Sequence, residues 1–405
     1  MWIFLWDTEP SKIFVWWSEV ASVWAGDIKV RPPYVPRTFT ISWNESNLSS
    51  WWTYSDDATW LTAWDTAFDE FFWYYGCRLN WSKTETAKIT QAWSGWAWKL
   101  DITQLWTLTS WDNVMIAFPV RWIKMSKSWS VVTLSVTEEL EKTGYQYYAH
   151  STWTLSNPWT PNWVMYLWAY KGFSSSGVLK SRSWQTITAS QTQATACTQA
   201  KANGSWYNIM GFYQREYINA LYMMKYGNPN SQWVVWMWNV ASSWPSHTWW
   251  TNNQDNATYW TSSNTQQVKL FWLEDWWGNI HEWVWWVYAT RSTWNKYRKQ
   301  LNLMLNWWSW DISWGELEWT EVYTTNGDCL SNIVGSNKLM FSPIWTANDY
   351  NYNSGYRDQV SLWENALAYA WWYWTRLNFN GAFRLNISAW TTTASNEIAS
   401  RLMCL

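Results

Sequence analysis

The chain carries 50 tryptophans and only 15 glycines, the reverse of the usual ratio in a soluble protein. Many tryptophans form doublets, such as Trp16-Trp17, Trp285-Trp286 and Trp371-Trp372, and others stand beside turn-forming residues. Turns of this kind need φ > 0 or a close backbone approach, which glycine supplies and tryptophan does not. We therefore predict that most of these tryptophans are UGA codons that the source translates as glycine. The alternative is a tryptophan-rich protein, such as a sugar binder with stacking platforms.

Composition limits the class of protein. A length of 405 residues suggests two or three domains and is ample for a sizeable core. The formal net charge is only −2, so a nucleic-acid backbone is not an expected partner. Charged residues make up 14% of the chain, while Ser, Thr, Asn and Tyr are abundant. This composition is typical of a loop-rich or all-β protein with hydrogen-bonding surfaces.

Four widely spaced cysteines, Cys77, Cys197, Cys329 and Cys404, form no C-x-x-C pair. They are predicted to be free or buried thiols, with no zinc site and no disulfide framework. Residues 1–30 lack a basic start followed by an apolar core, so no signal peptide is recognised. No run of 18 uncharged apolar residues is present, so we expect no transmembrane segment.

The pattern along the chain predicts three parts. Residues 1–36 form a short β-rich segment that ends in a proline-rich linker, and residues 37–111 form a small β-rich module. Residues 112–405 are predicted to form one α+β domain. It starts with strands near 114–118 and 131–136. Helices follow over roughly 192–201 and 211–226, with Gly227 as the C-cap of the second.

The most informative motif is the string from Trp272 to Val284, which reads W-L-E-D-W-W-G-N-I-H-E-W-V. With Trp272 decoded as glycine, it resembles the G-x-x-D-x-x-G-N-x-x-E-W signature of C-type-lectin-like domains. Sulfatase-modifying (formylglycine-generating) enzymes, phage tail-tip adhesins and the variable proteins of diversity-generating retroelements share that signature. The matching residues, which we expect to hold the scaffold together, are Asp275, Trp277, Gly278, Asn279, Glu282 and Trp283. Trp277 and Trp283 are the predicted true tryptophans.

The C-terminal part resembles the same family. Residues 370–374 match G-G-x-W if the tryptophan doublet is Gly-Gly and Trp374 is genuine, and residues 381–386 and 399–402 resemble the closing strands. The resemblance covers about residues 112–405 and implies that the last strand, near Arg401, pairs with an early strand. The implied fold is therefore a C-type-lectin-like α+β domain preceded by small β-rich N-terminal modules.

The resemblance also implies a function. In these families the ligand-contacting, diversified positions lie between the G-G-x-W string and the final Arg-Leu. Mapped onto this chain, the ligand-binding residues are Tyr373, Thr375, Arg376, Leu377, Asn378, Phe379, Arg384 and Ile387. Such a mixture of aromatic and polar side chains suits a binding surface. The alternative for residues 373–379 is an ordinary packed strand.

The implied protein is a non-enzymatic adhesin on a virion tail or a cell surface, which needs no cofactor and no metal. Its partner would be a cell-surface protein or glycan, and a homo-oligomer is left open. Two alternatives remain, a structural phage tail or baseplate protein and a sulfatase-modifying-type oxidase. The oxidase would need a cysteine pair, for which only Cys329 and Cys404 are placed.

The same motif gives only weak support for a metal site. His281-Glu282 begins like H-E-x-x-H, but residue 285 is Trp285, so the second histidine is missing. Asp275 and Asn279 have the oxygen ligands that calcium takes, yet turn stabilisation is the favoured role for both. Glu282 is predicted to be a structural hydrogen-bond acceptor.

Overall fold

The computed structural model describes side chains for residues 35–44, 52–89, 112–151, 162–228, 269–285 and 392–405, and for scattered residues between 234 and 267. Only the backbone is described for the strands at 23–31, 91–100 and 286–389. Strands predominate in this part of the chain, with few helices, so the fold class is α+β. No helix among the described residues is both long and apolar enough to span a membrane.

The described helices are α1 Ala67–Phe72, α2 Gln193–Lys201 and α3 Phe212–Tyr226, with a single 3₁₀ turn at Tyr148–His150. The strands of the N-terminal third are β1 Val23–Ala25, β2 Ile28–Arg31, β3 Thr38–Asn44, β4 Thr53–Asp56, β5 Tyr75–Leu79, β6 Glu85–Lys88, β7 Gln91–Ser94, β8 Ala97–Leu100, β9 Asn113–Pro119, β10 Trp122–Ser128 and β11 Val131–Thr137.

The strands of the middle third are β12 Val164–Trp168, β13 Phe173–Ser175, β14 Val178–Lys180, β15 Tyr207–Ile209, β16 Lys269–Leu270 and β17 Leu273–Glu274. The C-terminal strands are β18 His281–Thr293, β19 Lys296–Leu301, β20 Glu316–Val322, β21 Cys329–Ile333, β22 Pro343–Ala347, β23 Asp358–Val360, β24 Ala366–Ala370, β25 Leu385–Ala389, β26 Ile398–Ala399 and β27 Leu402–Cys404.

Three larger sheets organise these strands. A four-stranded sheet has the order β10-β11-β3-β4, and a six-stranded sheet has the order β15-β27-β12-β9-β5-β6. A seven-stranded sheet runs β20-β19-β18-β24-β25-β23, with β26 pairing parallel to β18. The C-terminal strand β27 thus lies between β15 and β12, which confirms that the last strand pairs with an early strand of the 112–405 region.

The predicted boundary at residue 112 falls inside shared sheets. Strand β3 pairs with β11, with Ile41 opposite Leu134, and β5 pairs with β9, with Cys77 opposite Met115. One continuous cluster of buried apolar side chains also runs from Phe39 to Leu405. Residues 37–89 therefore contribute strands and core to the unit that continues after residue 112, because strand pairing joins segments distant in sequence.

Both predicted helices are confirmed. Helix α2 begins after Thr192, whose hydroxyl accepts a hydrogen bond from the Thr195 amide at 3.1 Å, an N-cap that satisfies one of the free donors of the first turn. Helix α3 ends at Gly227, where φ is 60° and the amide donates to the Met223 carbonyl at 2.9 Å. This glycine takes the left-handed conformation that the sequence predicted for a C-cap.

Helix α3 is buried along its whole length, so its polar side chains need partners inside the protein. Gln214 donates to the Ala149 carbonyl at 2.7 Å. The Lys225 ammonium lies 2.6 Å from the Asp69 carboxylate, which ties α3 to α1. The helix also contacts strands β3 and β18, so it joins the N-terminal sheet to the region that follows residue 270.

Candidate functional site

The loop between β16 and β18 carries the lectin-like motif, and its backbone explains the residue types. Five of its residues, Phe271, Trp272, Asp275, Gly278 and Asn279, have φ values of 50°, 66°, 53°, 81° and 64°. Asp and Asn tolerate this left-handed region better than other residues with a side chain, and glycine adopts it freely. The D-x-x-G-N spacing therefore matches the positions where the backbone turns.

The Asp275 carboxylate lies at the centre of this loop and is completely buried. Its Oδ2 accepts hydrogen bonds from the side-chain amides of Gln267 and of Asn279, the latter at 2.6 Å. The bond from Asn279 joins two residues of the same loop, four positions apart. Burial raises the pKa of Asp275 to about 6, while Lys171 and the two amide donors act in the opposite direction.

The Glu282 carboxylate, at the start of β18, forms ion pairs with two buried cations. The Lys171 ammonium lies 3.0 Å from its Oε1, and the Arg401 Nε lies 3.2 Å from the same oxygen, with all three side chains almost fully excluded from water. Burial lowers the pKa of Lys171, and the Glu282 charge opposes that shift. Lys171 also donates to the Ile280 carbonyl at 2.8 Å. Glu282 thus pairs with two cations of the same chain.

Arg401 extends this cluster to other parts of the chain. Its Nη1 donates to the Trp168 carbonyl at 2.7 Å, and its Nη2 donates to the Glu274 carbonyl. A single guanidinium therefore holds β12, the end of β17 and the start of β18 together. The sequence placed Arg401 in the closing motif but gave no partner. The sequence signal that could have suggested this pair is an arginine in the closing motif and a glutamate in the lectin-like motif at 272–284.

The two predicted true tryptophans are both fully buried. The Trp283 indole Nε1 donates to the Gln191 carbonyl at 2.9 Å, and the Trp277 ring packs edge to face on Tyr222, with ring centroids 5.9 Å apart. Large buried rings in such contacts are core anchors. The neighbouring Trp276 is also buried, and its indole Nε1 lies 3.4 Å from the Asn219 side-chain oxygen.

Most of the predicted ligand-binding residues lie outside the described residues: Tyr373, Thr375, Arg376, Leu377, Asn378, Phe379 and Arg384. Ile387 belongs to β25, for which only the backbone is described. The backbone pairing of strands β18, β24 and β25 shows which residues flank this segment. Ala370, the last residue of β24, pairs with Glu282 on one side and with Leu385, the first residue of β25, on the other.

Three cysteines, Cys77, Cys197 and Cys404, are buried free thiols, as predicted. Burial raises the pKa of Cys404 to about 12, so its thiol stays protonated at neutral pH. The side chain of Cys329 lies outside the described residues. Within the described part of the chain, no group of three or more His, Cys, Asp or Glu side chains is placed to hold a metal ion.

No protein-family model matches the chain, and a search of curated protein sequences finds no match. The loop itself is therefore the basis for any functional assignment. Within that loop, Asp275 accepts a hydrogen bond from Asn279, and Glu282 pairs with Lys171 and Arg401.

Proposed function

We propose that the chain is a non-enzymatic binding protein with a C-type-lectin-like domain, acting as a phage tail-tip adhesin or a surface-displayed variable protein. Its binding surface would be formed by residues 373–387. Its ligand would be a protein or a glycan on a cell surface.

The strand register around Glu282 carries this proposal. Ala370 and Leu385, the strand residues on either side of positions 371–384, pair with each other. Ala370 also pairs with Glu282, the acceptor of the buried Lys171 and Arg401 charges. A variable segment needs ends that stay in place when its residues change, and a scaffold of packed, bonded residues supplies them.

The buried cysteines favour binding over oxidase chemistry. A sulfatase-modifying-type site would use a cysteine pair, for which the sequence offers Cys329 and Cys404. Cys404 is buried in β27, and burial raises its pKa to about 12, which disfavours the free thiolate that would attack a substrate. A structural tail or baseplate protein remains the second candidate, since the same scaffold without a variable ligand would serve it.

Alanine substitutions of Tyr373, Arg376 and Phe379 test the proposal. We expect each to change binding to receptor-bearing host cells and to leave the melting temperature nearly unchanged, because these side chains would face the ligand. Trp283→Ala is the matched control, since it alters a buried anchor and is expected to destabilise the fold.

Two results would contradict the proposal. If the three alanine variants unfold the protein, residues 373–379 are a packed strand. Oxygen-dependent turnover of a cysteine-containing peptide by the purified protein would instead establish an enzyme. A near-copy of codons 370–402 beside a reverse-transcriptase gene would favour the variable protein, whereas tail genes without that repeat would favour the structural protein.

A further inference from the structure

Four tryptophans combine an exposed ring with a left-handed backbone. Their φ angles and exposed fractions are 79° and 39% at Trp64, 53° and 53% at Trp73, 55° and 95% at Trp129, and 62° and 44% at Trp184. For a bulky L residue this backbone is strained because Cβ crowds the carbonyl oxygen. The Trp129 ring gains almost no burial to offset that strain, whereas the Trp64 ring also packs edge to face on Tyr226, with ring centroids 4.7 Å apart.

The ends of α1 and α3 provide an internal comparison. Gly227 ends α3 with φ 60° and ψ 25°, and its amide bonds the carbonyl of the residue four positions earlier. Trp73 ends α1 with φ 53° and ψ 44°, and its amide bonds the Asp69 carbonyl in the same way. Glycine is the usual residue at this helix position because it lacks Cβ. The backbone at residue 73 therefore has the form that glycine gives at residue 227.

Trp129 occupies a second position typical of glycine. Strands β10 and β11 pair from Trp122–Thr137 to Ser128–Val131, which leaves Trp129 and Ser130 as a two-residue hairpin turn. Ser130 does not have φ > 0, so only the first turn residue does, and two-residue hairpin turns of that type take glycine there. The indole of Trp129 is almost fully exposed.

Two buried tryptophans of the motif loop, Trp277 and Trp283, differ in each respect. Trp277 and Trp283 are fully buried, and neither has φ > 0. The Trp283 indole has a hydrogen-bond acceptor in Gln191, and the Trp277 ring packs on Tyr222. Glycine at these positions would leave large cavities in the core.

We propose that positions 64, 73, 129 and 184 carry glycine in the native protein, whereas positions 277 and 283 carry tryptophan. Of the ten large apolar side chains that are exposed among the described residues, seven are tryptophans. Positions 64, 73, 129 and 184 are four of those seven, so glycine at these positions removes more than half of the exposed tryptophans. They are then turn residues and not stacking platforms for a sugar ligand. This inference is independent of the proposed adhesin function.

Peptide mass spectrometry of the protein isolated from its natural source tests the assignment directly. We expect peptides with glycine at three or all four of positions 64, 73, 129 and 184, and with tryptophan at 277 and 283. Tryptophan at two or more of the four turn positions, or glycine at 277 or 283, would overturn it.

Recombinant variants provide a second measurement. We expect Trp73→Gly and Trp129→Gly each to lower the unfolding equilibrium constant roughly three- to tenfold, since relief of left-handed strain exceeds the added freedom of glycine in the unfolded chain. Trp60→Gly is the control, because Trp60 is 92% exposed without a positive φ, and it should give no such gain. If W73G and W129G are no more stable than the chain with tryptophan at these positions, the inference fails.

Discussion

Two arginine–glutamate pairs join distant parts of this chain in very different surroundings. Arg401 Nε lies 3.2 Å from Glu282 Oε1, with both side chains fully excluded from water. Arg37 Nη2 lies 3.0 Å from Glu138 Oε1, but the Arg37 side chain is 41% exposed. The distances are nearly the same, so any difference in energetic role comes from the surroundings.

The two pairs differ in which groups can interact with the remaining charge once its partner is removed. At the rim, water and salt screen the Arg37 charge, and the buried Glu138 keeps the Arg121 guanidinium at 3.3 Å as a second partner, so losing Arg37 costs little. In the interior, removing Arg401 would leave Glu282 with one fewer cation and the Trp168 and Glu274 carbonyls without their donor. Removing one partner of a buried ion pair is therefore costly, even where replacing both partners by apolar side chains would leave the stability unchanged.

Arg401→Ala should have the largest effect. We expect a loss near the upper end of roughly 3–5 kcal/mol in the free energy of unfolding, because it breaks a buried ion pair and unbonds backbone carbonyls as well. Urea unfolding monitored by circular dichroism measures it. A loss below about 1 kcal/mol would mean that the interior pair behaves like a rim pair.

Trp283→Ala should follow, with a loss of roughly 3 kcal/mol or more from the cavity it creates. Trp283→Phe separates packing from hydrogen bonding, since it keeps a ring and loses only the bond to the Gln191 carbonyl. We expect it to lose about 1 kcal/mol. Equal losses in W283A and W283F would show that the ring itself contributes little.

Asp275 should make stability depend on pH in a defined window. Its pKa of about 6 lies above the ordinary value, so the folded state binds the proton more tightly than the unfolded state. The resulting stabilisation is fully present below the ordinary pKa of a carboxyl group and is lost as pH rises through about 6. We expect the protein to gain stability from pH 7 to pH 5.

Asp275→Asn is the control for this effect, because asparagine keeps the shape and an acceptor but does not titrate. Urea unfolding at pH 5 and pH 7 should show a smaller difference in the variant than in the unsubstituted protein. The same pH dependence in both proteins would assign the effect to other groups.

Arg37→Ala should have the smallest effect, at most about 1 kcal/mol. We expect that loss to shrink further in high salt, since the pair is partly exposed. A loss that is large and insensitive to salt would show that the rim pair is as important as the interior pair.

The sequence predicted the elements whose signals are local. Helices α2 and α3 and strands β9 and β11 follow from side-chain spacing, and the end of α3 follows from Gly227. Helix α1 has only six residues, too short to show a helical period. The pairing of β3 with β11 depends on residues about a hundred positions apart, for which one sequence carries no local signal.

In the motif loop, too, the sequence predicted local roles but not partners that are distant along the chain. Asp275, Asn279 and Glu282 were predicted as structural residues, and each bonds to other residues of the chain; their structural role stays a prediction. Lys171 was not foreseen, since nothing near it in sequence marks it as a partner of Glu282. The lectin-like fold and the ligand-binding role of residues 373–387 stay predictions.

A pair of double-mutant cycles tests the central comparison most directly, one on Glu282 and Arg401 and the other on Glu138 and Arg37. Each cycle uses the two single glutamine or alanine variants and the double variant, with the free energy of unfolding from urea titration. We expect a coupling energy of roughly 3 kcal/mol for the interior pair and less than about 1 kcal/mol for the rim pair. Equal coupling energies in the two cycles would contradict the claim that burial makes the Glu282–Arg401 pair more costly to break than the Arg37–Glu138 pair.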